Sequence, residues 1–173
     1  MPYRPHRSAH RAEPGPGQES VWDYPRPPRA EPDRRRAVLR HGGIIVADTI
    51  DLVRVLETSH PPTFYLPRSA FGSYLQLTSE PARTSYCEWK GQAHYLDIDV
   101  PGLAPLRDVG WWYPHPDRRY PLLSDRVAVY AEPIDEITLD GEQIRPQPGG
   151  FYGGWITHDV VGPFKGEAGS THW

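Results

Sequence analysis

Two short polar stretches hold the side chains best able to handle a proton, an anion or an electrophile. The first is Tyr86-Cys87-Glu88-Trp89-Lys90-Gly91, which contains the only cysteine of the 173 residues. An ammonium three residues from a thiol favours the thiolate, which is the nucleophilic form. Free cysteine is equally a small, frequently buried hydrophobe, and both readings of Cys87 stand at this point. Lys90, beside a turn glycine, suits a ligand contact at the lip of a cleft while Trp89 packs. The second stretch places Glu57 and His60 around Thr58-Ser59, ahead of the rigid pair Pro61-Pro62. Together with Arg54, these two could bind or deprotonate a small substrate. Glu57 could as well form a structural salt bridge with Arg54 or Lys90.

Aromatic residues supply candidate walls. Tyr65, Trp89, Trp111 and Trp112 are assigned to the binding surface for a planar ligand. Successive strand residues point to opposite faces, so at least one of Trp111, Trp112 and Tyr113 must be core. His94 lies on the apolar face of its strand and reads as a satisfied core histidine. A lone cysteine excludes an internal disulfide and a multi-cysteine zinc site. His6 and His10 have helical spacing for a metal pair, but their Arg/Pro/Gly setting supports no helix. Asp97 and Asp99 share a strand face, as magnesium-holding carboxylates do. Gly162-Pro163-Phe164-Lys165-Gly166, however, is not a phosphate-binding loop. No metal and no cofactor are expected.

These residues must be positioned by short strands. Val38 to Val46 reads as a hairpin about Gly42-Gly43, and Ile137 to Ile144 as another about Asp140-Gly141. Residues 52–57 fit either a helical face or a strand. Thr63 to Leu66, Leu75 to Thr78, Val109 to Tyr113 and Val127 to Tyr130 read as strands, and Arg68 to Phe71 as one helical turn. The clearest strand follows Gly91, with His94, Leu96, Ile98 and Val100 on one face and Tyr95, Asp97 and Asp99 on the other. Residues 149–173 alternate glycines with Phe151, Tyr152, Trp155, Phe164 and Trp173. They read as a strap over the body with its aromatics buried. The expectation is a mainly β chain: a disordered arm over residues 1–18, then one compact domain over 19–173 with short helical turns and an extended N-terminal segment.

Charge and composition bound the function. With 21 prolines and 38% hydrophobic residues the chain is poor in apolar residues, and the deficit is concentrated near the N-terminus. Residues 1–40 carry nine arginines against five acids, and the rest carries ten bases against 17 acids. The basic part is broken by prolines and has few aromatics, so nucleic acid is not an expected partner. No apolar run reaches the roughly 20 residues of a membrane span, and no signal sequence is evident. The expected setting is cytoplasmic, with no membrane partner, and a homodimer is compatible with the sequence.

Several motifs together resemble a bacterial family, the domain of unknown function 427, also labelled nucleotidyltransferase-like. They are Glu19-Ser20-Val21-Trp22-Asp23-Tyr24-Pro25, Val55-Leu56-Glu57-Thr58-Ser59-His60-Pro61-Pro62 and Cys87-Glu88-Trp89-Lys90-Gly91. Trp112-Tyr113-Pro114, residues 149–155 and residues 162–166 continue the likeness. The resemblance implies a compact β-tent of the Mss4-like type, similar to zinc-binding tents and B-type methionine sulfoxide reductases. It supplies no settled activity. The chain lacks the four zinc cysteines and a resolving thiol, and its stretch 104–108 is irregular for the family. The label's nucleotidyl transfer would also need a small-residue phosphate turn upstream of the carboxylates, where Ser85-Tyr86-Cys87 stands. The functional expectation is a cleft lined by aromatics, Arg54, Glu57 and Lys90 that binds a small molecule, anionic or planar. The alternative is an enzyme using the same cleft, with Cys87 as nucleophile or Glu57 as general base.

Overall fold

Gly42 and Gly43 take φ of 58° and 75°, and Asp140 and Gly141 take 48° and 80°. Paired positive φ values give a turn whose twist matches that of the flanking strands, so each dipeptide closes a hairpin where the sequence placed one. The computed structural model describes residues 10–77 and 83–173, and the fold is a compact all-β one. In chain order the strands are β1 Glu19–Ser20, β2 Arg29–Asp33, β3 Ala37–His41, β4 Ile44–Thr49, β5 Leu52–Leu56, β6 Thr63–Pro67, β7 Leu75–Leu77 and β8 Thr84–Cys87. They continue as β9 Gly91–Ile98, β10 Leu106–Trp112, β11 Arg126–Val129, β12 Glu136–Leu139, β13 Glu142–Gln143, β14 Arg145–Pro146, β15 Trp155–Ile156 and β16 Val160–Val161. Among the described residues no helix is long and apolar enough to cross a membrane.

One long sheet runs β2-β5-β6-β11-β10-β9-β7, and β8 shares the β9 edge with β7. A second sheet, β13-β12-β3-β4, covers one of its faces. Between them lies the main core, with Leu39, Val46, Ile137 and Leu139 from the smaller sheet meeting Phe64, Leu66, Leu96, Ile98, Val127 and Val129 from the larger. The opposite face of the long sheet carries Val53, Val55, Tyr65, Trp111 and Ala128 in a second cluster. Alternate residues of one strand thus enter two different cores. That settles Leu52–Leu56 as strand, with Glu57 just beyond its end: Leu52 and Val53 are both buried, but on opposite faces, so no polar alternation appears. The irregularity at 104–108 is a bulge, with Asp108 at φ 50° and a register shift between Leu106 and Gly110.

Three segments depart from the sequence reading. Val21–Asp23 is a 3-10 turn rather than extended chain, capped by Ser20 Oγ accepting the Trp22 N–H at 3.3 Å. Its Val21 and Tyr24 pack with Leu56, Ile156, Val160 and Phe164. Of the arm expected to be disordered, residues 1–9 lie outside the described residues, as do His6 of the weighed metal pair and Thr78 at the end of its strand. Residues 10–18 lie on the body: Ala12 N–H donates to Gly162 O at 3.1 Å, and the Arg11 guanidinium sits 5.0 Å over the Trp22 ring. The strap buries Trp155, stacked 5.1 Å from Phe64, and Phe164, but Phe151 is 74% exposed.

Candidate active-site cavity

The loop after β5 is fixed from both ends of the chain. Ser59 N–H donates to Val21 O at 3.0 Å, Thr58 Oγ1 to Tyr24 O at 2.5 Å, and Lys165 N–H to Ser59 O at 2.7 Å. Ser59 sits at φ 70°, which folds the loop back so that Glu57 and His60 face the same way. The hairpin from β8 to β9 pairs Cys87 with Gly91. Gly91 has φ 110°, and a Cβ there would meet His115 O at 3.2 Å, so only glycine fits without strain. These two loops bring Glu57, His60, Cys87 and Lys90 to one cavity of about 290 Å³ on the open face of the long sheet.

Its walls are aromatic. Trp111 and Tyr113 form the floor with Tyr95, while Tyr130 and Tyr152 close the far side. The Trp111 Nε1–H donates to the Tyr65 hydroxyl at 3.3 Å, and its ring tilts against Tyr130 at 4.7 Å. Gly153 lies flat on the Trp111 indole, where a Cβ would clash with the ring. Tyr86 and Phe151, 78% and 74% exposed, stand at the mouth.

Burial works against the Lys90 ammonium, yet Tyr65, Cys87, Glu57 and Tyr120 around it outweigh that cost and hold its pKa above the ordinary lysine range. It is charged at neutral pH. Among the described residues no carboxylate lies within 4.0 Å of it, and it sits 5.9 Å from the centre of the Tyr113 ring. Burial holds His60 below its usual range against the pull of Glu57, so its imidazole is neutral at pH 7. His60 Nδ1 lies 3.0 Å from Thr58 O and 3.3 Å from Glu57 Oε2, two acceptors. Nδ1 therefore carries the proton, and Nε2 keeps its lone pair. Burial also pushes Tyr113 up, and burial with the neighbouring Tyr95 pushes Tyr130 up to about 12. Both phenols stay protonated donors.

The cavity unites Cys87, Glu57, His60, Lys90 and Trp111 of the residues expected from sequence, and it leaves out four. Arg54 lies elsewhere, with Nε and Nη2 on Glu31 at 2.8 and 2.7 Å and its fork on Glu19 at 3.0 and 3.1 Å. Burial opposes its charge, but these carboxylates override that and raise its pKa. Trp112 points to the main core, under the Arg68 guanidinium at 4.2 Å, because it follows Trp111 on the same strand. Trp89 packs, partly buried, against the second cluster outside the cavity, with the Arg119 guanidinium 5.8 Å from its ring and donating to Trp89 O at 3.2 Å. Tyr65 is fully buried behind Trp111 and Tyr113. Asp97 accepts the Asp108 N–H at 2.7 Å and meets Arg107 at 3.4 Å, while Asp99 is exposed. The Asp97 carboxylate thus braces the β10 bulge.

Sequence reasoning missed Tyr95, Tyr130, Gln147 and Tyr152. Tyr95 and Tyr130 were legible only as strand residues. The glycines around Phe151-Tyr152 did signal close backbone approach, but not toward which surface.

Comparison with curated proteins gives no match. The family model labelled NTP_transf_9, a domain of unknown function (DUF427), matches residues 29–140, from β2 through β12. The matched region includes Glu57, His60, Cys87, Lys90 and Trp111 and ends before Gln147, Phe151 and Tyr152, and at well over half its length the chain belongs to the DUF427 family.

Proposed function

We propose that the chain is a small-molecule-binding module whose ligand is planar and anionic and occupies the cavity of Glu57, His60, Cys87 and Lys90. The observation that carries this reading is the Lys90 ammonium, charged, half-buried in the cavity wall and without a carboxylate within 4.0 Å among the described residues. An ammonium in such a place is stabilised by an arriving anion more than any solvated surface lysine would be. Trp111, Tyr113 and Tyr152 supply ring faces and edges for a flat ligand body, and Glu57 offers an acceptor for a donor on its far side. The tent architecture and a cytoplasmic, bacterial setting belong to the same reading through the family resemblance.

Thermal shift with a panel of aromatic carboxylates, benzoate being the simplest, tests it. Wild type should be stabilised, with Tm rising as ligand passes its Kd, and Lys90→Met should lose that response while its own Tm stays within a few degrees. A panel without effect on wild type, or an undiminished response in Lys90→Met, would sink the reading.

One observation favours a second reading, an enzyme of the same cavity. His60 keeps its Nε2 lone pair beside a wall that includes Cys87, with Glu57 holding Nδ1. That arrangement can draw the thiol proton and leave a thiolate for attack on an acyl carbon. Alkylation of Cys87 by iodoacetamide distinguishes it: His60→Gln should slow the reaction at neutral pH if the imidazole is the base, and leave the rate unchanged if it is not.

A further inference from the structure

A second cavity of about 390 Å³ adjoins the first, and the two have Tyr130, Gln147 and Tyr152 in common as lining residues. Those three side chains are a partition between two halves of one groove. Two of them are fixed. Gln147 donates from Nε2 to Lys165 O at 2.9 Å and accepts the Gly154 N–H on Oε1 at 3.0 Å, and Tyr130 donates its hydroxyl to Phe151 O at 3.4 Å. Tyr152 is placed by ring contacts instead, edge-on to His60 at 5.1 Å and to Phe151 at 5.0 Å. It stands between Gly150, at φ 70° with open space around it, and Gly153. Turning Tyr152 opens the partition without breaking a side-chain hydrogen bond of its own among the described residues.

The second cavity differs in chemistry from the first. Val109 and Ala131 form its floor, and Pro133 and Pro146 its sides. Of its three charged residues, Arg107 meets Asp97 at 3.4 Å and Asp108 meets Arg83 at 3.3 Å, while Glu132 lies exposed at its rim. What it offers a ligand is apolar surface at the end of a passage that starts from the Lys90 ammonium. We infer that the ligand of this site has two parts, a planar anionic head held at Lys90 and an apolar arm that passes Tyr152 into the cavity floored by Val109 and Ala131. This rests on the proposed binding function and deepens it by naming the ligand class: arylcarboxylate-like anions with an apolar substituent opposite the charge.

The test is a chain-length series on the full-length protein, benzoate followed by 4-ethyl-, 4-butyl- and 4-hexylbenzoate, with Kd measured by calorimetry. Each methylene buried in the second cavity should tighten binding by up to about fourfold, until the cavity is full. Glu132→Trp, at an exposed lining position of that cavity, should flatten the series. Ala131→Phe fills the same space from the floor and serves as a second variant, with circular dichroism confirming that each still folds. The slope with chain length is the quantity read. Lys90-dependent benzoate binding with a flat wild-type series, or a slope undiminished in both variants, overturns the inference and leaves the binding function standing. Failure of benzoate and of every longer member to bind overturns both.

Discussion

His60 and Lys90 show how one cavity sets two opposite protonation states. Both are withdrawn from water, which disfavours charge on each, but only Lys90 has enough electronegative neighbours to reverse the effect. The consequence for His60 has a definite sign. Its folded pKa lies below the ordinary 6.5, so between 6.5 and the lower value the unfolded chain binds the proton and the folded chain does not. Stability is therefore full above pH 6.5 and declines as pH falls through that window. Imidazole NMR titration should place the His60 midpoint below 6.5, and His60→Gln should remove this part of the pH dependence of unfolding. A midpoint above 6.5 would mean that Glu57 outweighs burial.

At the level of elements, β5 is tied to its neighbours by charge as well as by its ladder. Arg54 projects from β5 to Glu31 on β2 and to Glu19 on β1, while Asp33 on β2 pairs with Arg35 at 2.7 Å. The hydrogen bond to Arg54 lowers the Glu19 pKa from its ordinary 4.5, and the Arg35 bonds overcome burial to lower Asp33 from 3.8. Depressed carboxylates stabilise the fold above their unfolded pKa and lose that contribution as pH falls through the folded value. Acid unfolding should accordingly steepen below about pH 4.5, separately from the His60 window. Arg54→Met should shift the acid midpoint upward and cost on the order of 1–3 kcal/mol at neutral pH by leaving carboxylates without a partner. Urea melts at pH 7 and pH 4 would check both, and equal losses at the two pH values would show the network to be electrostatically idle.

For the whole molecule, the C-terminal strap is a structural member that also completes the site. Trp155 is 1% exposed and stacks on Phe64 in the main core, and Gln147 and Tyr152 just before it form the cavity partition. Trp155→Ala should cost about 3–5 kcal/mol, the range for removing a buried aromatic. Truncation before Gly149 should expose the core and abolish cooperative melting. A truncated chain that melts cooperatively near the wild-type Tm would show that the strap merely rests on the body. The family match stops at residue 140, so the strap closes a site whose Glu57, His60, Cys87 and Lys90 all come from the matched region.

Local chemistry made the hairpins at Gly42-Gly43 and Asp140-Gly141, the strand after Gly91 and the burial of Trp155 readable from the chain alone. Each depends on a backbone preference or on an alternation that acts over a few residues. That Glu57 and Lys90 line one cavity was also legible, because both lie in rigid polar loops within family motifs. Three-dimensional neighbours decided the rest. Arg54 looked like a ligand contact until Glu19 and Glu31, distant in sequence, claimed its guanidinium. Trp111 and Trp112 are chemically alike, and only the direction of β10 within a sheet buried on both faces sends one to the cavity and the other to the core. Tyr130, Gln147 and Tyr152 carry no sequence mark of a site, since a wall is made by what stands opposite it, and that depends on how the sheets and the strap are laid together.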